Sequence, residues 1–197
     1  MHIPLFQRLI PSASPSPCKI PYNNPNASSL IIDAVVDHMR ARSPQQPITV
    51  VCIGTDRSTG DCLGPLVGTN LSKLASSHYV TLGTLSQPVH AMNLQETLQH
   101  IEHDYPNSFV IAIDACLGQS SSIGQIQVLS GPVKPGAGVN KQLPPVGDMH
   151  ITGIVNIGGF MEYFVLQNTR LHLVMEMSEI IAYALHSSII QVKSAAY

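Results

Sequence analysis

Two short runs of residues limit what this chain can fold into. Ile48-Thr49-Val50-Val51-Cys52-Ile53 and Phe109-Val110-Ile111-Ala112-Ile113 carry apolar or β-branched side chains throughout. A strand with one wet face alternates, whereas a strand that is apolar on both sides needs cover on both sides. That cover is helices above and below a sheet. The intervening stretches supply them. Leu30, Ile31, Ala34, Val35 and Met39 recur at helical spacing, with Ser28 or Ser29 as the cap and Ser43-Pro44-Gln45-Gln46-Pro47 as the stop. Leu63, Leu66, Val67, Leu71 and Leu74 mark a second helix, and Leu94, Leu98 and Ile101 a third that Pro106 ends.

Three further strands complete the pattern: Tyr79–Thr84, Gly124–Leu129 and His150–Val155. Gly124–Leu129 follows too closely on the strand before it for a helical crossover, so it is expected to run antiparallel to that strand. A Gly158-Gly159 break leads to helices near 160–168 and 171–187. The expected fold class is α/β, a three-layer α/β/α sandwich on a five-stranded mixed, mostly parallel sheet. Residues 1–27 carry prolines at 4, 11, 15, 17, 21 and 25. Such a segment cannot be helical and pairs only at a sheet edge. It is expected to be a loosely held arm in front of a single domain spanning 28–197.

Composition narrows the function. The chain has 197 residues and 44% hydrophobic but only 11% charged residues, which suits a well-buried sheet. A formal charge of −2 and the lack of any Lys/Arg run leave no cationic surplus for nucleic acid. Cys18, Cys52, Cys62 and Cys116 form no CxxC pair and are expected to be reduced thiols. Without a leader pattern or an apolar run near bilayer length, the expectation is a cytoplasmic protein with no membrane contact.

In such sheets the working groups gather beyond the carboxyl ends of the strands. Two acidic positions lie there: the turn Gly54-Thr55-Asp56-Arg57-Ser58-Thr59-Gly60-Asp61, and Asp114. The turn lacks the glycine spacing of a dinucleotide fingerprint and the Gly-Lys-Ser/Thr of a Walker loop, and its two carboxylates repel phosphate. Cys62 and Cys116 adjoin carboxylates, which raise a thiol pKa, so they read as small core residues rather than nucleophiles. Ser120-Ser121-Ser122 lacks the glycines of a nucleophile elbow and reads as a turn. Asp61, Asp114 and one of nine histidines would make a metal set, with His150 the best placed. A carboxylate pair would divide acid and base roles, because two close carboxylates do not both ionise cheaply. Against that stands Asp61 as a mere cap of the helix beginning at Cys62.

The motifs resemble those of a known family. Gly54-Thr55-Asp56 with Thr59-Gly60-Asp61-Cys62-Leu63-Gly64-Pro65 resembles the Gly-x-Asn and Thr-Pro-Asp-x-Leu-Gly-Pro pattern of the spore germination protease. Ile113-Asp114-Ala115 is similar to its Val-Asp-Ala, and Lys134-Pro135-Gly136-Ala137-Gly138-Val139-Asn140-Lys141 to its Ser-Pro-Gly-Ser-Gly-Val-Gly-Asn-Lys loop. The first and third motifs resemble YyaC-type sporulation proteins most. The resemblance covers about residues 48 to 165. It implies the fold of the hydrogenase-maturation proteases and peptide hydrolysis by Asp61 and Asp114. Gly54, Asp56, Gly136, Gly138 and Asn140 would be supporting or substrate-binding residues. The implied substrate is a protein or peptide, with small basic spore proteins as candidates, in the forespore or spore interior. The maturation enzymes carry a metal-binding histidine where Gly136 stands, so no metal and no cofactor is expected. The alternative is a catalytically inactive relative that keeps the fold as a protein-binding scaffold in sporulation.

Overall fold

The computed structural model describes residues 18–40, 42–136 and 143–195. In chain order the elements are β1 (Cys18–Pro21), α1 (Ala27–Met39), β2 (Ile48–Cys52), α2 (Leu63–Lys73), β3 (Val80–Leu82) and α3 (Leu94–Asp104). Then follow β4 (Phe109–Gly118), a single 3₁₀ turn at Ser120–Ser122, β5 (Gln125–Ser130), β6 (Met149–Ile157), α4 (Glu162–Gln167) and α5 (Leu171–Ser194). The strands form one mixed sheet in the order β1-β5-β6-β4-β2-β3. The four inner and right-hand strands β6, β4, β2 and β3 are parallel, and β5 runs against β6 and β1.

The two-sided strands are covered as their composition demands. One face of the sheet packs on α1, α2 and α5 through Val50, Cys52, Ile111, Ile113 and Ile151. The other packs on α3 through Val51, Val110 and Ala112, together with Val133 and Val146 of the β5–β6 connection. Burying one such Ile or Val contributes about 1.5–3 kcal/mol. Helix α5 is by length and composition apolar enough to cross a membrane, with mean hydropathy 1.3, but half of its most apolar window is buried inside the protein. It packs against α1 and α2 as the central helix of that layer.

Three expectations need correction. The sheet has six strands, because residues 18–21, assigned to the loose arm, pair with Gln125–Val128 as an antiparallel edge. Ile20 gives the reason: it is 2% exposed and joins the main core. The rest of the arm, residues 1–17, lies outside the described residues. Second, β5 does run antiparallel to β4, but β6 lies between them. Third, β4 does not stop at Asp114. It continues to Gly118, because β6 keeps pairing with it past the acid, with a bulge after Cys116.

Candidate active site

The turn between β2 and α2 is shaped by one close approach. Gly54 has φ +143°, and a Cβ there would lie 1.9 Å from the carbonyl oxygen of Asp61. Only glycine permits this approach, and it brings Asp61 back over the end of β2. The Thr55 amide then donates to the Asp61 carbonyl at 3.2 Å, and the Gly60 amide to Leu166 O of α4 at 2.8 Å. Helix α2 begins after Cys62 and has no side-chain cap bond. Asp61 is therefore not spent as a helix cap, and the capping alternative fails.

Asp114 reaches the same space from the sheet. Ile111 and Ile113 belong to the α5-side core and Val110 and Ala112 to the α3-side core. Alternation along the strand therefore points Asp114 to the α3 side. Only 7% of it is exposed, and its Oδ1 accepts the Ala115 amide at 2.9 Å. Asp61 and Asp114 both line one cleft of about 270 Å³. Burial lifts the Asp61 carboxyl, partly offset by the Thr55 amide and by His90. Asp114 is lifted much further, first by burial and then by the negative charge of Asp61, with the Ala115 amide pulling the other way. The pair is thus asymmetric. The rise is greater for the deeper Asp114, whose charged form is disfavoured both by burial and by the neighbouring Asp61 charge.

Gly54 and Gly136 also line the cleft, whereas Asp56 is exposed and does not. Asp56 touches the turn through the Thr55 hydroxyl at 3.4 Å, and that hydroxyl accepts the Arg57 amide. Gly138 and Asn140 lie outside the described residues. His150 is not on the cleft; its Nδ1 meets the Gly131 carbonyl at 2.8 Å, level with Ala112. Among the described residues no three His, Cys, Asp or Glu side chains are arranged to hold a metal. Cys116 lines the cleft, but burial pushes its thiol up to about 11, and Cys62 stands at about 11 for the same reason, with Asp61 adding to it.

The cleft also recruits residues the sequence left unmarked. His90 reaches it because Ile53 bridges Val89 and the Gly54 amide donates to Val89 O at 2.8 Å. The Met92 amide donates to the His90 Nδ1 at 3.3 Å. The rule that working groups gather beyond strand carboxyl ends applied to His90 as well, eight residues past β3. The Ser58 hydroxyl is buried on the cleft wall without a hydrogen-bond partner among the described residues.

The three-layer α/β/α fold thus brings two acids to one crevice at the carboxyl ends of parallel strands. The structure resembles the [NiFe] hydrogenase maturation protease HycI from Thermococcus kodakarensis KOD1, with a TM-score of 0.54 and 16% sequence identity over 79% of this chain and 98% of that one. At this identity the likeness shows the fold alone. The chain itself belongs to the family described as "Protein of unknown function (DUF1256)", whose model matches residues 19–184 and so contains the whole cleft. It is 54% identical over 156 residues to the uncharacterized protein YyaC of Bacillus subtilis (strain 168), covering 79% of this chain and 76% of that protein.

Proposed function

We propose that this protein is a peptidase of the germination-protease-like type, acting in sporulation or spore germination, with Asp61 and Asp114 as its acid–base pair. The observation that carries this reading is the pair itself: two carboxyls on one cleft, the deeper of which burial and the charge of the other raise well above the usual carboxylate range. Ionised Asp61 takes a proton from a water attacking the scissile carbonyl. Protonated Asp114 donates to the carbonyl oxygen; as the intermediate collapses, the proton that Asp61 took from the water passes to the leaving amine, and Asp114 recovers its own from the re-forming carboxyl. His90, whose field already acts on Asp61, helps hold that carboxylate ionised. The chemistry uses no cofactor. The substrate is a protein segment, with small basic spore proteins in the cytoplasm of the forespore the first to test.

The test compares wild type with Asp61→Asn and Asp114→Asn on such proteins across pH 5 to 8. Each variant is expected to lose about 10²–10⁴-fold in rate, and the double variant to be hardly worse, because the two groups act as a unit. The rate should rise with pH as Asp61 ionises and fall again as Asp114 loses its proton. An Asn variant as fast as active wild type would remove the pair from the mechanism. A second reading, a non-catalytic scaffold that binds a protein partner in the same cleft, is favoured by the exposed apolar residues at its mouth. A wild type inert on every substrate would select it.

A further inference from the structure

The cleft contains an open strand edge. Along β4 the odd-numbered residues bond toward β2: the Phe109 amide donates to Pro47 O, and Ile113 O accepts the Ile53 amide at 2.7 Å. The even-numbered residues bond toward β6 and the segment leading into it: Val110 O accepts the Asp148 amide, and Gly118 O the Gly158 amide. The pairing of β2 with β4 ends at Cys52 and Ile113, yet β4 runs five residues further, to Gly118. By this parity the main-chain groups of Ala115 and Leu117 point to the side that β2 has vacated. The Ala115 amide is occupied by its neighbour, the Asp114 carboxyl. The carbonyls of Ala115 and Leu117 and the amide of Leu117 have no strand opposite them among the described residues. Ala115, Cys116 and Leu117 all line the cleft beside the two acids.

The mouth above this edge is apolar. Met92, Tyr163 and Leu166 line it. Next to them the segment Ile157–Phe164 exposes five large apolar side chains, among them Phe160 at 88% and Phe164 at 54%. Two of the four phenylalanines in the chain thus stand in solvent on one short segment. Met161 there has φ 55°, so backbone strain accompanies the exposure.

We propose that the cleft takes an extended polypeptide as an added strand on the Ala115–Leu117 edge of β4, and that it selects segments carrying bulky apolar side chains for the Met92–Tyr163–Leu166 rim. Main-chain bonds to an open edge give register, and alternate side-chain pockets give preference. A folded surface or a small molecule does not satisfy three main-chain groups in a row at strand spacing; an extended backbone does. Such a strand lies beside Asp114 and brings its peptide bonds across the acid pair. This deepens the peptidase reading by naming the substrate class, but binding alone tests it.

The probe is a fluorescein-labelled octapeptide with Leu and Phe at alternate positions between Ala and Thr residues, measured by anisotropy on wild type and on Asp114→Asn. Two further peptides carry N-methyl groups on the amides of one parity or the other, and a fourth replaces Leu and Phe with Ser. Methylation of one parity should weaken binding roughly tenfold, as expected for lost main-chain bonds, and methylation of the other should leave it unchanged. The Ser peptide should bind at least about tenfold more weakly. A Phe160→Ser, Tyr163→Ser variant, altered only at exposed positions, should reproduce the loss of apolar preference while keeping the parity effect. Equal effects of both methylations, undiminished binding of the Ser peptide, or no binding of any peptide would overturn the inference. Parity-dependent binding without cleavage would sustain it while removing the peptidase reading. Cleavage without parity dependence would do the reverse.

Discussion

On the floor of the cleft, Gly54 stands so near Asp61 that a single added carbon would overlap its carbonyl, and Asp114 is 7% exposed in mid-strand. On the segment that leads into the rim residue Tyr163, Phe160 is 88% exposed, and a Cβ at Gly159 would meet nothing within 4 Å. Both regions spend backbone freedom, since both hold residues at positive φ. They differ in what surrounds the strain. The floor is fixed by the sheet, by α2 and by the Gly60 bond to α4, whereas the side chains of Phe160, Tyr163 and Phe164 stand largely in solvent. The contrast separates two tasks. Proton chemistry needs carboxyls whose surroundings cannot rearrange, because a mobile site would resolvate them and return both to ordinary acidity. Recognition of an extended apolar segment needs apolar surface left in water until the segment arrives.

The most severe way to break this contrast is at Gly54. An Ala there combines an unfavourable φ with overlap against backbone that cannot retreat. We expect a loss of roughly 3–5 kcal/mol, read from denaturant melts, with loss of any hydrolysis. A tolerated Gly54→Ala would mean that the floor yields as readily as the rim. Ile20→Ala probes the edge of the same sheet. This side chain is buried on a four-residue strand, and its truncation should cost about 2–4 kcal/mol. An unchanged melt would show that β1 contributes nothing to the sheet and that the whole N-terminal segment is dispensable.

Much of the floor was legible in the sequence because its determinants are local. The β-branched runs, the Gly54-to-Asp61 spacing and an acid at the end of an apolar run need no knowledge of neighbours. What escaped depends on neighbours. Cys18–Pro21 is four residues with a lysine and a proline, and nothing in its pattern marks a strand until β5 lies beside it. Asp114 looks like a strand end because a carboxyl is costly inside a sheet; continued pairing with β6 and the Ala115 amide make it tolerable. His90 belongs to no spacing motif and enters only through the pairing of Ile53 with Val89. His150 looked better placed, at the start of a strand after a long loop, but the parallel register sets it level with Ala112, short of the acids.

A smaller effect of opposite sign tests whether the floor is built for chemistry at the expense of stability. The fold raises the Asp114 carboxyl, so the folded state holds a proton that the unfolded chain gives up. A raised carboxyl contributes no penalty well below the unfolded value near 3.9, and costs stability increasingly as pH climbs toward the folded value. Asn keeps the acceptor for the Ala115 amide and removes the penalty. Asp114→Asn should therefore match wild type near pH 3 and melt higher at pH 7. Each tenfold in proton affinity relieved is worth about 1.4 kcal/mol. A difference that is constant with pH, or reversed in sign, would mean that Asp114 is a stabilising hydrogen-bonding group and not a strained acid.

The smallest expected change is at the rim, and its smallness is the point. Phe160 gives its ring to solvent, so replacing it with Ser removes little buried area and leaves no cavity. Surface substitutions of this kind fall within about ±0.5 kcal/mol, which for a chain of this size is a shift of roughly 1–2 °C. The same variant should lower affinity for apolar extended peptides while leaving the acid pair and its pH dependence untouched. Paired melts and peptide titrations on Phe160→Ser decide the matter. A loss above about 1 kcal/mol would show that the ring is buried in solution, folding the rim into the core. An unchanged peptide affinity would leave the exposure of Phe160 without a task and confine recognition to the strand edge below it.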